Sequence, residues 1–389
     1  MLAFFLRCLY DTGERREGLP VEQRPDHILR ALKQAGFSAW FVGGCVRDTL
    51  LGRPIHDWDV TTSAKPEETM TVFPRCVPTG IRHGTVTVLD GDASYEVTTY
   101  RVDGEYRDGR HPEDVTFVAR IEDDLARRDF TVNAMAMDEC GAILDVFDGK
   151  KDLAARQLRC VGVPEERFRE DALRMLRALR FAAQLGFTVE KETYRAIRAC
   201  APLCAGLSAE RVRDEVEKTL LSDDPDAVHE MVRLRLLAEF GLFDGTDAPT
   251  LAGLPKRREV RWAGFFRAYP QATWEQFKLD KRCGAVAQKS AALAGVNRDR
   301  LAWKRLISRH GEAVARCTAA LDGEKAAVEE ILRSGECLYL KELAVSGKDL
   351  QALSGEAVGQ TLSRLLEHVL EFPGDNTRKK LFEIMDAEL

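Results

Sequence analysis

Nowhere does the 389-residue chain offer a run approaching the ~20 consecutive apolar residues of a helical membrane span. Its ten cysteines include no C-x-x-C pair. The nearest two, Cys200 and Cys204, fall in a segment of helical rhythm, so reduced thiols of a cytoplasmic protein are expected. Histidine is scarce, with seven residues. His56 beside Asp57 spells the dipeptide of metal-dependent phosphohydrolases, but that site needs further ligands at helical spacing, and the other histidines stand singly. Positive charge is not in excess either. The net charge of −6 argues against indiscriminate nucleic-acid binding while leaving room for a local basic surface. No internal repeat stands out. The opening "MLAFFLRCLY" is apolar but broken by Arg7, lacks a basic lead-in, and precedes charged residues without a small-residue cleavage site. Residues 1–24 therefore read as a leader and not as a secretion signal.

What is present is a globular composition, 45% hydrophobic and 31% charged, on a chain long enough for two or more domains. From Pro25 to about Lys150 helix and strand patterns mix. "PDHILRALKQAGF" predicts an amphipathic helix, "SAWFVGG" a strand entering a glycine turn, and "CVRDTLLG" a helix closed by Gly52. "HGTVTVLDG" and "YEVTTYR" alternate as two antiparallel strands. "VDGEYRDGRHPED" follows, with two Asp-Gly turns and no apolar rhythm, and reads as a mobile loop. "DFTVNAMAMD" and "ILDVFDG" complete the mixed part. From about Asp152 onward the rhythm is helical, in 165–185, 191–201, 209–221, 225–238, 273–294, 302–320 and 324–333, with a linker near 245–260. The fold class is thus α+β, a mixed-sheet head followed by a long helical remainder.

The chemistry concentrates in "PIHDWDVTTSA", residues 54–64. In an extended segment residues two apart share a face, so Asp57 and Asp59 lie side by side, a spacing suited to Mg2+. Upstream, "FVGGCVRDTLLGR" runs a strand into Gly43-Gly44 and then a helix. Such a turn lets backbone N–H groups approach a phosphate, and Arg47 stands one turn in; the competing reading pairs Arg47 with Asp48 or Asp57. A phosphate cradle followed by two metal-type carboxylates is the layout of nucleotidyl transfer, in which metals clamp attacking and leaving oxygens. A third carboxylate is expected from a neighbouring strand, and Glu96 in "SYEVTTYR" is the candidate.

Three blocks now carry a resemblance: "GGCVRDTLLGRPIHDWDVTT", "RRDFTVNAMA" at 127–136, and "RFREDALRMLRALRFAAQLGF" at 167–187. In order and spacing they resemble the bacterial CCA-adding enzymes, class II tRNA nucleotidyltransferases of the polymerase-β superfamily. The resemblance covers about residues 37–222, with a weaker likeness in the C-terminal stretch. It implies a seahorse-shaped division into a nucleotidyltransferase head at 25–157, a neck at 158–222, a body at 223–300 and a tRNA-binding tail at 301–389. It implies Mg2+ in the head, tRNA, CTP and ATP as substrates, and nucleotide contacts by Arg128, Asp129 and Asn133; a structural turn closed by Asp129 and Thr131 is the alternative. Homodimerisation stays open. The long loop at 102–115 disfavours a CC-only enzyme, which in this family lacks it. A-only addition and bacterial poly(A) polymerase remain as alternatives.

The third block has its own logic. Glu165 to Leu185 reads as one helix on which Asp171 and Arg174 are i,i+3 neighbours. Cytosine and adenine both show an amino donor beside a ring-nitrogen acceptor, so one carboxylate and one guanidinium read both. Uracil and guanine present the reverse pattern and leave both groups unpaired, at about 1–3 kcal/mol each. The plain alternative is a helical salt bridge. Arg177 and Arg180 continue the row, as triphosphate contacts or supports of the pair. The basic runs 256–261 and 298–309 are either solvated faces or RNA phosphate contacts.

Overall fold

The computed structural model describes residues 24–103, 115–245, 247–350 and 355–387. The leader up to residue 23 and the loop from 104 to 114 lie outside them. The described residues form two compact units, one of 24–103, 115–155 and 159–162, the other of 156–158 and those from 163 onward.

The first unit is built on a seven-stranded mixed sheet of order β3-β4-β5-β2-β1-β8-β9. Its strands are β1 Ala39–Val42, β2 Asp59–Thr62, β3 Cys76–Gly80, β4 Thr85–Asp90, β5 Ala93–Thr99, β8 Met135–Met137 and β9 Ile143–Asp145. Helix α1, Asp26–Gln34, buries Ile28, Leu29 and Leu32. Helix α2, Gly44–Leu51, follows β1 directly and ends on Gly52, whose left-handed conformation closes it as expected. Helix α3, Pro66–Val72, and strand β3 add to the predicted elements. So do β6 Arg101–Asp103 and β7 Val115–Phe117, an antiparallel pair at the base of the predicted loop. At three residues each they are too short to show an alternating pattern. Helix α4, Ile121–Ala126, and a 3-10 turn at Thr131–Asn133 lead into β8, and α5, Gly149–Ala155, ends this part. Phe41, Val60, Val97, Phe130 and Met135 are fully buried in its interior, each apolar side chain of that size contributing about 1.5–3 kcal/mol.

The second unit is almost wholly helical apart from a two-residue parallel pair, β10 Gln157–Leu158 with β11 Thr188–Val189. The expected helix from Glu165 to Leu185 is two helices, α6 Pro164–Glu170 and α7 Leu173–Leu185. Asp171 between them is extended, at φ −145° and ψ 104°. The reason is local. Aspartate competes for backbone N–H groups and favours helix starts over interiors, and here its Oδ1 accepts the Leu173 N–H at 3.0 Å. Helices α8 Lys191–Cys200, α9 Ala209–Leu220 and α10 Ala227–Arg233 follow, then α11 Arg258–Ala268 at the end of the expected linker. The helix expected over 273–294 begins only at Lys281 (α12, Lys281–Leu293), because Asp280 caps it by accepting the Cys283 N–H at 2.9 Å. Trp262, Phe265 and Phe277 pack ring against ring within 5.2–5.5 Å beneath α11. Helix α13, Arg300–Asp322, is interrupted at Gly311. With α14 Lys325–Arg333, α15 Gly355–Glu371 and α16 Arg378–Ala387 it encloses a further core around Trp303, Ile307, Val328 and Val369.

Candidate active site

β2 and β5 are the one parallel neighbour pair of the large sheet among the described residues, and Asp59 stands in register with Glu96 across it. Burial alternates as the sequence predicts: Asp57, Asp59 and Glu96 are exposed, while Trp58, Val60 and Val97 face the core. Asp57 itself lies just before the first strand residue. Trp58, between the two acids, fixes the entry by packing 4.7 Å from the Phe41 ring of β1. Asp59 retains solvent access, yet the atoms crowded around its carboxylate strip away enough water to raise its pKa. Arg128 opposes that rise, and the charges of Glu96 and Asp57 add to it. A carboxylate pressed by two others is the electrostatic condition that a divalent cation relieves.

Gly43 supplies the close approach. It adopts φ 78° and ψ −132°, and a Cβ there would stand 3.0 Å from Arg128 Nη1 and 3.7 Å from Asp59 Oδ2. Only glycine combines this backbone with that proximity. Gly44 opens α2, so the first N–H groups of that helix lack intrahelical acceptors.

Arg47 is buried within a chain of polar contacts. It donates to Asp48 at 3.0 and 2.8 Å and to Asn133 Oδ1 at 2.7 Å. Asn133 in turn donates to Asp129 Oδ1 at 3.1 Å, which also accepts the Phe130 N–H at 2.8 Å. The structure thus joins Arg47, Asp129 and Asn133 in one network, and the alternative partner Asp48 is present in it. Asp124 was missed by sequence reasoning. Fully buried, it binds Arg127 at 2.9 Å and Arg128 at 3.2 Å, and accepts from Thr61 of β2 and from the Arg101 N–H of β6. Burial pushes its carboxyl up, but Arg128 and Arg127 outweigh that and hold it below the usual range. The i,i+3 and i,i+4 spacing in "DDLARR" was its available signal.

In the second unit Asp171 Oδ2 accepts from Arg211 at 2.8 Å, and Arg174, itself buried, donates to Glu170 at 2.7 Å. The helix break means that the two are not i,i+3 neighbours on one continuous helix, although the Arg174 N–H still closes a turn onto the Asp171 carbonyl at 3.1 Å. Arg180 is buried against Glu215, donates to Gln184 at 2.9 Å, and lies 3.9 Å from the Phe181 ring centre. Arg177 stands 4.0 Å from the same Glu215. The basic runs are largely consumed by ion pairs: Arg258 with Glu217 and Asp280, Arg298 with Asp322, Arg300 with Glu330 and Glu336, Arg305 with Glu367.

Among the described residues no three His, Cys, Asp or Glu form a closed metal cluster. Two open carboxylates fit Mg2+ better than a cage would, since that ion keeps water and takes substrate phosphates as ligands. The parallel strand pair, glycine turn and paired acids together define a nucleotidyltransferase head, and comparison agrees. Residues 39–159 match the "Poly A polymerase head domain" and residues 186–245 the "Probable RNA and SrmB- binding site of polymerase A". A CCA-adding enzyme of Geobacillus kaustophilus is 41% identical over 91% of this chain and 94% of its own length, and one of Geobacillus stearothermophilus is 42% identical over 88% and 90%. The crystal structure of the Bacillus stearothermophilus CCA-adding enzyme with CTP superposes with a TM-score of 0.82, at 34% identity over 95% of this chain and 99% of that one. The chain belongs to the family of CCA-adding enzymes.

Proposed function

We propose that this enzyme adds C, C and A in turn to the 3′ end of tRNA, using CTP and ATP in the cytoplasm and releasing pyrophosphate. Asp57 and Asp59 would hold Mg2+, with Glu96 assisting. When bound, that ion neutralises the triphosphate and the charge developing on the attacking and leaving oxygens. The chain's own residues do the rest. The Gly43–Gly44 turn and Arg47 receive the triphosphate, while Arg128, Asp129 and Asn133 orient the nucleotide. Asp171 and Arg174 read the amino group and ring nitrogen that cytosine and adenine share, and Arg177 and Arg180 support them from the helix that carries Arg174. The four-part division at 25–157, 158–222, 223–300 and 301–389 belongs to the same reading.

The observation that carries the proposal is the likeness to a CTP-bound CCA-adding enzyme along nearly the whole chain. The test is incubation of purified protein with tRNA lacking CCA and each labelled nucleotide separately and together. Two C residues followed by one A are expected. ATP incorporation only onto tRNA already ending in CC would make it an A-adding enzyme, and a long A tract a poly(A) polymerase.

A further inference from the structure

A cavity of about 760 Å³ opens in the C-terminal helices, beyond the segment matched by the RNA-binding model and far along the chain from the head motifs. Three elements line it. Helix α13 contributes Ser308 and Arg309, the turn after α14 contributes Tyr339, Leu340 and Lys341, and α15 contributes Arg364, Leu366 and Glu367. Its volume is that of a cleft for a small molecule or a single monomer of a polymer.

The lining is two-sided in chemistry. Leu340 is 46% exposed, a large apolar side chain open to water, and Tyr339 beside it is only partly buried. Around them stand three cations, Arg309, Lys341 and Arg364, all exposed, against one acid. That acid, Glu367, is held by Arg305, and Arg309 reaches it only at 3.9 Å. Arg300 and Arg305 of α13 are engaged by acids at close range, and Arg309, one turn further on, borders the cavity with Glu367 as a more distant partner. Lys341 lies 5.5 Å from the centre of the Tyr339 ring. A flat apolar ligand edge bearing a neighbouring negative charge satisfies both halves, which is the chemistry of a nucleotide. Aromatic and apolar faces take an unstacked base, and surrounding cations track its phosphates.

We propose that this cavity holds one unstacked nucleotide of an RNA chain, its base against Tyr339 and Leu340 and its flanking phosphates against Arg309, Lys341 and Arg364. The cations sit on three separate elements around an open cleft, an arrangement that follows a backbone passing through and not a single terminal phosphate group. The inference rests on the reading of the chain as an enzyme that extends RNA.

The test is acylation of Lys341 in the full-length protein, read by mass spectrometry, with a short unpaired oligoribonucleotide, AMP or a poly-glutamate peptide as the probe. The oligoribonucleotide should protect Lys341, and AMP at equal nucleotide concentration should not. Tyr339→Ala should weaken oligonucleotide binding roughly 5- to 150-fold, the span seen when stacking aromatics are truncated. Arg364→Gln, on an exposed helix position, should make the slope of log affinity against log salt shallower by about 0.7. Absence of protection by RNA, equal protection by AMP or the peptide, or binding unchanged by both variants would overturn the assignment. Nucleotide incorporation measured on the same preparations separates the two readings. Protection without incorporation refutes only the proposed activity, and incorporation without protection refutes only this site.

Discussion

Acids on and beside the central strands of the head sheet and acids beneath the helical arginines meet opposite fates. Asp57, Asp59 and Glu96 stand near one another on exposed positions, and Arg128 is the first charge opposing their repulsion at Asp59. In the helical unit Glu170, Asp171 and Glu215 are matched by Arg174, Arg211 and Arg180. A matched acid serves the fold, because a buried charge is tolerated only when paired. A crowded, under-compensated one costs the fold something and is retained where a ligand restores the balance. The difference is sharpest between Asp59 and the buried Glu215, while the half-buried Asp171 and its neighbour Arg174 are held in place by partners and still open to a base.

Four experiments probe that difference. Asp57→Ala or Asp59→Ala should lower CTP and ATP incorporation alike by about 10³-fold or more, the several kcal/mol a metal supplies, with tRNA affinity nearly intact. Loss of one nucleotide only, in single-nucleotide assays, would move these acids out of the metal role. Asp124→Asn tests the opposite kind of acid. It leaves two arginines facing a neutral buried amide and should cost about 3–5 kcal/mol in urea unfolding. A cost under 1 kcal/mol would show that Asp124 is not the anchor of Arg128.

Asp171→Ala or Arg174→Ala should erode discrimination against UTP and GTP by about 10- to 100-fold, the cost of one unsatisfied buried group. Unchanged selectivity in four-nucleotide competition would return the pair to a purely structural role. The smallest effect concerns His229, whose ring hydrogen-bonds Tyr269 at 2.7 Å and lies 3.5 Å from Asp226. Burial lowers its pKa from the usual 6.5, against the pull of Asp226. Above 6.5 both folded and unfolded chains hold it neutral. As pH falls below that value the unfolded chain takes up the proton first, so stability drops until the folded pKa is passed. His229→Gln should flatten this dependence in denaturant midpoints compared at pH 7.5 and 5.5. An identical slope in the variant would assign the pH dependence to other groups.

Much of the head was legible because its signals are local. The glycine turn before α2 and the alternation through Asp57, Trp58 and Asp59 each follow from backbone geometry within a few residues. The break at Asp171 was also written locally, as an aspartate inside an otherwise apolar rhythm, but the stronger helical period masked it. Strands β6, β7, β10 and β11 were illegible because two or three residues cannot display a period. Which basic residues are consumed by ion pairs was equally hidden, since Arg300 meets Glu330 and Arg258 meets Asp280 only once their helices pack.

The order of residues alone specified the spacing of the two aspartates, the glycine turn beside them and the helical character of the second unit, because each depends on covalent geometry and near neighbours. Tertiary structure decided that Glu96 stands level with Asp59 and that Arg180 is buried on Glu215. Those pairings join groups 37 and 35 positions apart, and their energies depend on burial and register, which arise only when sheets and helices close on one another.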